Sequence, residues 1–225
     1  MKFEEKVSLK DYSTMRVGGL AAYLTHVRSK EDLVEAIQFA KDKNIPILVV
    51  GHGTNTLFTD EGFDGLVIIN EIEGFEVLKE DSDGATVKVG AGEDWDEMVR
   101  KTVESGWSGV EALTMVPGGV GAAPIANIGC YGQELAETLV ELTAYDLEKG
   151  EFVTLTKEEC NFRYRGSRFS DEDKGRFIIV DITLKLHKEV MKPPFYKDVE
   201  KYFKDRDAKA LSLITSIMLP SPEAE

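Results

Sequence analysis

Cysteine and histidine are scarce in this sequence. Two cysteines among 225 residues, Cys130 and Cys160, supply neither a disulfide framework nor a zinc cluster. The three histidines, His26, His52 and His187, show no metal-ligand spacing, so no metal site is expected. No apolar run approaches the roughly 20 residues that span a bilayer. The opening MKFEEKVSLKDYS has no apolar stretch of the signal-peptide kind, and the expectation is a cytoplasmic protein that does not touch membranes. Clustered positive charge is missing too. Acidic residues outnumber basic ones 41 to 27, for a net charge of −14. That argues against a nucleic-acid partner, because phosphate contacts need grouped cations. What is present is globular: hydrophobic residues make up 42%, ample for a core. The length suits one large domain or two small ones, and a monomer is expected.

Local signals divide the chain. Ser29, with Asp32 three places on, predicts a capped helix whose apolar face is Leu33, Ala36, Ile37 and Ala40. Pro46 ends it. The all-apolar run Ile47–Val50 then reads as a strand buried on both faces, and residues 66–69 read as another. FEVLKE and ATVKVGAG flank Asp81-Ser82-Asp83-Gly84, which predicts a hairpin over 75–92. Asp94 with Glu97 caps a second helix that buries Trp95, Met98, Val99 and Val103 and stops at Gly106. A further hairpin is expected over 139–155, turning at 148–150, then a strand over 177–186 and a helical tail from Lys197 to about Met218. Strict β-α-β alternation is absent, so the fold class is α+β. The expected division is residues 1–70, 71–190 and a tail at 191–225.

Two loops point to chemistry. Gly51-His52-Gly53-Thr54-Asn55 follows a strand directly; its glycines allow positive φ, and successive N–H groups in such a turn form an anion-binding nest. A pyrophosphate suits it, and a tight surface turn is the competing reading of so short a motif. It is neither a Walker A loop nor GxGxxG. Pro117-Gly118-Gly119-Val120-Gly121-Ala122-Ala123-Pro124 is stripped of large side chains and continues into Asn127, Gly129, Tyr131 and Gly132. Such a backbone suits close passage of a flat or phosphorylated ligand.

These loops sit in a longer run of familiar segments: TMRVGGLAAYL, GHGTNTLF, DEGFDGLVIIN, VGAGEDWDEMV, VEALTMVPGGVGAAPIANIGCYGQEL, CNFRYRGSRF and FIIVDITLKL. Over nearly its whole length the chain resembles the UDP-N-acetylenolpyruvoylglucosamine reductase (UDP-N-acetylmuramate dehydrogenase) family, flavoenzymes of peptidoglycan synthesis. The resemblance implies the two-subdomain FAD-binding fold shared with vanillyl-alcohol-oxidase-type flavoproteins. It implies noncovalent FAD, bound by Val50, Gly51, His52, Gly53, Thr54, Asn55, Thr56 and Leu57, with the pyrophosphate cradled by the loop Gly51–Asn55. The flavin would lie along Pro117, Gly118, Gly121, Ala122, Pro124, Ile125, Asn127, Gly129, Tyr131 and Gly132, with Ile179 of the late strand nearby. Tyr164 and Arg165 match the family's substrate tyrosine and catalytic arginine, and Tyr196 its substrate-gating tyrosine. NADPH is the implied electron donor, and the arginine would stabilise enolate charge as hydride passes to the enolpyruvyl double bond. A valine at Gly53 is expected to crowd the phosphate.

Departures accompany the matches. The family's serine proton donor and late glutamate belong to a further domain whose Gly-Ser-Phe-Phe-Lys-Asn-Pro-type motif does not occur here. Thr215 and Met218 stand where that family carries cations. Ala126 and Cys130 replace a usual glutamine and alanine, and His52 reads as a solvent-facing loop residue. The expectation is an FAD-binding flavoprotein incomplete for catalysis as this chain. The alternatives are a shortened flavin oxidoreductase with another substrate, or an engineered flavin-binding carrier or optical module.

Overall fold

A computed structural model describes residues 1–188 and Lys197. The expected tail helix, Tyr196, Thr215 and Met218 lie outside these described residues. Two large sheets and one small two-stranded sheet organise the described residues. The first contains β1 (Glu4–Ser8), β2 (Leu20–Val27), β3 (Ile47–Val50) and β4 (Phe63–Asn70), in the order β1-β2-β4-β3. Strand β4 runs parallel to both β2 and β3, whereas β1 is antiparallel to β2. Helix α1 (Lys30–Lys43) links β2 to β3; Ser29 accepts the Asp32 N–H at 3.0 Å. Its end is set by Asn44 in the left-handed conformation at φ 52°, one residue before the proline can act.

The second sheet has the order β10-β9-β11-β6-β5. It is built from the hairpin β5 (Phe75–Glu80) and β6 (Gly84–Gly90), the hairpin β9 (Leu139–Asp146) and β10 (Glu151–Thr156), and the long strand β11 (Phe177–His187). Strand β11 lies antiparallel between β6 and β9 and joins the two hairpins. Between them come helix α2 (Trp95–Glu104), the two-residue strands β7 (Gly129–Cys130) and β8 (Gln133–Glu134), and the single-turn helix α3 (Leu135–Thr138).

Strand β3 departs from expectation. It is an edge strand, and of its four residues only Val50 is buried. An apolar run signals contact with a core but not the position of a strand within its sheet. Strands β1 and β2 carry no distinctive signal, since EEKVS is mostly charged and LAAYLTHV does not alternate cleanly.

Among the described residues the core has three apolar clusters. The largest surrounds Trp95, Val99, Leu113, Leu142 and Ile182 under the five-stranded sheet. A second is shared between the sheets: Val27, Leu33, Ile37 and Ile68 on one side meet Tyr145, Ile178 and Val180 on the other. Buried Asn70 reinforces that seam by donating to the Ile179 carbonyl at 2.9 Å. Asp181, also buried, is bridged by Lys30 of α1 and Lys88 of β6, each at 3.3 Å.

Candidate functional site

The segment after β3 turns sharply against the chain at residues 12–14. A Cβ built on Gly53, at φ +63°, would lie 1.9 Å from the Tyr12 carbonyl oxygen, so only glycine fits. The Gly53 carbonyl accepts the Thr14 N–H at 3.2 Å, and Ser13 Oγ donates to the Thr56 carbonyl at 2.6 Å. The carbonyls are thus consumed inward. The N–H groups of His52, Gly53, Thr54 and Asn55 have no acceptor among the described residues. Four successive donors without acceptors are what an anion nest of the kind expected from the sequence requires. Above Gly51 an added Cβ would meet nothing within 4 Å, so the surface there is open.

The second loop faces the first. Thr54 Oγ1 donates to the Pro117 carbonyl at 3.1 Å. The Gly118 carbonyl accepts the first N–H of α2, from Trp95, at 2.9 Å, and the Gly119 carbonyl accepts from Ala122 at 3.0 Å. The Gly118 and Gly119 N–H groups have no described acceptor, which extends the donor row across the gap. Gly121 passes so close to Ala91 that an added Cβ would come within 2.6 Å of its methyl group. His52 is exposed, as expected, and ties the two walls: Nδ1 lies 3.3 Å from Asp94 Oδ2 and Nε2 lies 3.4 Å from the Gly92 carbonyl. Asp94 uses its other oxygen to cap α2 through the Glu97 N–H at 2.9 Å.

Beyond Pro124 the loop ends at an open cleft of about 440 Å³ lined by Gly129, Cys130, Tyr131, Gly132, Gln133, Glu134, Glu137, Tyr164 and Arg165. Tyr164 and Arg165 occupy the tip of a tight turn closed by reciprocal Arg163–Gly166 backbone bonds of 3.0 Å. Arg165 sits there at φ +54°, a conformation that costs an ordinary residue about 1 kcal/mol or more. Tyr164 is 82% exposed. Burial and the neighbouring Glu134 carboxylate push the Glu137 carboxyl above its ordinary pKa.

Two residues expected to contact the cofactor also have roles within the protein. The Asn127 side chain is buried and internally committed: Nδ2 donates to Glu134 Oε2 at 2.8 Å and to the Arg163 carbonyl at 3.2 Å, and Oδ1 accepts the Ala136 N–H. It therefore fastens the Tyr164–Arg165 turn to the loop rather than offering free donors. Ile179 packs its side chain into the largest core cluster, and Asn70 takes its carbonyl. Of the other residues expected from Val50 to Leu57 and from Pro117 to Gly132, Val50 ends β3 and Gly129 belongs to β7, and the rest lie in the two loops. Reasoning from sequence missed Ser13 and Thr14, which seat the first loop, and Glu134, which holds Asn127. Only the capping pattern had flagged Asp94.

A model described as an FAD-binding domain matches residues 21–156. The UDP-N-acetylenolpyruvoylglucosamine reductase of Ralstonia nicotianae is 40% identical over 202 residues, covering 88% of this chain and 59% of that protein. That of Escherichia coli is 38% identical over 194 residues, covering 86% and 56%. The crystal structure of UDP-N-acetylenolpyruvylglucosamine reductase from Thermus caldophilus superposes with a TM-score of 0.67 at 30% identity, over 93% of this chain and 72% of that one. This chain belongs to the UDP-N-acetylenolpyruvoylglucosamine reductase family. A solvent-stable cholesterol oxidase and 6-hydroxy-D-nicotine oxidase from Arthrobacter nicotinovorans share the fold alone, each with a TM-score of 0.60 at 15% and 16% identity. The two sheets are thus those of the FAD-binding fold of vanillyl-alcohol-oxidase-type proteins. Among the UDP-N-acetylenolpyruvoylglucosamine reductases it matches, the chain spans between about half and three fifths of the two relatives' lengths given above.

The residues present fit FAD. The free N–H row across 52–55 and 118–119 matches a pyrophosphate, and the open surface above Gly51 leaves room for it. Large apolar side chains in or next to these segments are exposed, Leu57 in the first loop and Ile125 and Tyr131 in the second, and Tyr131 lines the cleft. Their chemistry matches that of flat aromatic rings.

Proposed function

We propose that this chain holds FAD noncovalently between the two loops and forms the flavin-bearing part of a reductase that acts on UDP-N-acetylenolpyruvoylglucosamine with NADPH as electron donor. The row of unpaired backbone N–H groups at residues 52–55 carries this reading. It supplies partial positive charge without side-chain cations, which suits a protein of net charge −14. Gly51 to Thr56 and Gly118 to Gly119 would take the pyrophosphate, and Pro117 to Gly132 the flavin. The bound flavin supplies hydride-transfer chemistry. Arg165, held at the mouth of the cleft, offers a permanent cation and a bidentate fork to an enolpyruvyl carboxylate and the charge that develops on it. Tyr164 extends beside it as a substrate contact.

The cytoplasm is the compartment we favour. Cys130 and Cys160 are unpaired, and no helix among the described residues is long and apolar enough to cross a membrane.

The test is flavin titration of the purified protein. FAD should bind tightly, FMN much more weakly, and acid precipitation should leave the flavin in the supernatant. Anaerobic NADPH should then bleach the visible flavin band. Equal affinity for FMN and FAD would contradict the pyrophosphate assignment, and flavin retained in the acid pellet would contradict noncovalent binding.

A further inference from the structure

Arginines in this acidic chain find carboxylates readily. Arg28 pairs with Glu71 at 2.9 Å, Arg168 with Asp173 at 2.7 Å, and Arg176 with Asp146 at 2.7 Å. Arg100 pairs with Asp96, and Arg163 with Asp171. The other two described arginines, Arg16 and Arg165, make no side-chain hydrogen bond or ion pair with any described residue. Both are exposed, and both have positive φ, 52° and 54°. Arg165 stands at the flavin end of the site. Arg16 stands at the other end.

The turn that carries Arg16 is fastened to the nest. Its N–H donates to the Ser13 carbonyl at 3.0 Å, and the Met15 N–H donates to Ser13 Oγ at 3.3 Å. Ser13, 5% exposed, uses the same hydroxyl to donate to Thr56 at 2.6 Å. Thr14 bonds to Gly53 through its backbone N–H. The backbone of Arg16 is therefore fixed to the loop whose N–H groups lack acceptors. Its sequence neighbours Met15 and Val17 are exposed apolar residues; such neighbours reduce local hydration and strengthen a nearby charge interaction.

We propose that Arg16 is the side-chain cation of the pyrophosphate site, adding a guanidinium fork to the charge that the backbone donors present only in part. The distant negative surface is screened beyond about 8–10 Å, so one adjacent cation outweighs it. Holding an arginine at positive φ, where glycine would be easier, is explained if the guanidinium is what the position requires. This inference rests on the FAD reading above and assigns a residue that neither the fold nor the motif identifies.

The experiment compares FAD with riboflavin, which has no phosphate, by fluorescence titration of wild type, Arg16→Gln, Arg16→Gly and Arg16→Lys. Glycine suits the backbone conformation and removes the charge, so that variant keeps the turn even if glutamine disturbs it. Loss of a charge-assisted contact predicts about a tenfold weaker FAD affinity in the glutamine and glycine variants. Riboflavin affinity should be unchanged, recovery in the lysine variant partial, and the salt dependence of FAD binding shallower without the charge. FAD affinity within twofold of wild type in Arg16→Gly would overturn the proposal, as would equal losses for FAD and riboflavin. Failure of wild type itself to bind FAD would instead remove the functional reading on which it rests.

Discussion

Gly51 and Gly53 are two residues apart and should respond differently to a side chain. At Gly53 the obstacle is the Tyr12 carbonyl, 1.9 Å from an added Cβ, not a phosphate as the sequence alone had led us to expect. Gly53→Val should therefore destabilise the protein itself by at least about 2 kcal/mol and weaken FAD only as a consequence. Gly51→Ala adds a methyl group to open space. Its melting temperature without ligand should barely move, within about 0.5 kcal/mol, while FAD affinity falls because backbone approach is blocked. Thermal melts with and without FAD separate the two, and unchanged FAD affinity in Gly51→Ala would mean the ligand does not pass over that backbone. The cysteines differ as sharply. Burial pushes the Cys160 thiol up to about 12, so almost no thiolate exists at neutral pH, whereas Cys130 is half-buried and lines the cleft. Brief alkylation of the native protein followed by peptide mass spectrometry should find the label on Cys130 alone; rapid labelling of Cys160 would contradict its burial.

At the scale of elements, the hairpin β9–β10 is tied to the start of β11 by one buried carboxylate. Asp146 accepts from Arg176 through both oxygens, at 3.0 and 2.7 Å, and also from the Glu148 and Lys149 N–H groups of the hairpin turn. The Arg176 guanidinium above all, despite burial, holds the carboxyl down to about 2. In the unfolded chain it titrates near 3.9. The stabilisation is therefore complete above about pH 5 and is lost as pH falls toward 2. Asp146→Asn should cost about 3 kcal/mol at neutral pH, and urea unfolding should show the gap to wild type closing below pH 5; a gap independent of pH would refute the assignment. This hairpin was legible in the sequence, as were α1, α2 and β5–β6, because caps and turns are written in adjacent residues. Strand order was not. Nothing in ILVV distinguishes an edge from a centre, and β1, with three charges in EEKVS, reads as a loop until β2 is beside it. The same limit applied to the site. Glycine spacing marked the two loops, but the bonds of Asn127 to Glu134 and to the Arg163 carbonyl were not legible, because those partners lie 7 and 36 residues away in the chain.

Across the whole molecule, the two sheets share one apolar cluster, the Asn70–Ile179 bond and the Lys30–Asp181–Lys88 bridge. They should unfold together. Calorimetry should show a single transition whose calorimetric and van't Hoff enthalpies agree; two resolved transitions would show that the seam is weaker than its burial implies. Asn70→Ala, which strands the Ile179 carbonyl and the Ile72 N–H, should lower stability by about 2 kcal/mol without separating the transitions. The central place of β11 also imposes an order on biosynthesis. The ribosome completes both hairpins of the larger sheet before Phe177 is made, yet only β11 hydrogen-bonds β6 to β9, and its Val180 carbonyl secures Ala91 behind the glycine loop. Until that strand emerges, a nascent chain holds two unjoined hairpins with exposed apolar faces. Chaperone occupancy should therefore peak just before residues 177–187 leave the exit tunnel, and cofactor capture should begin only after they do.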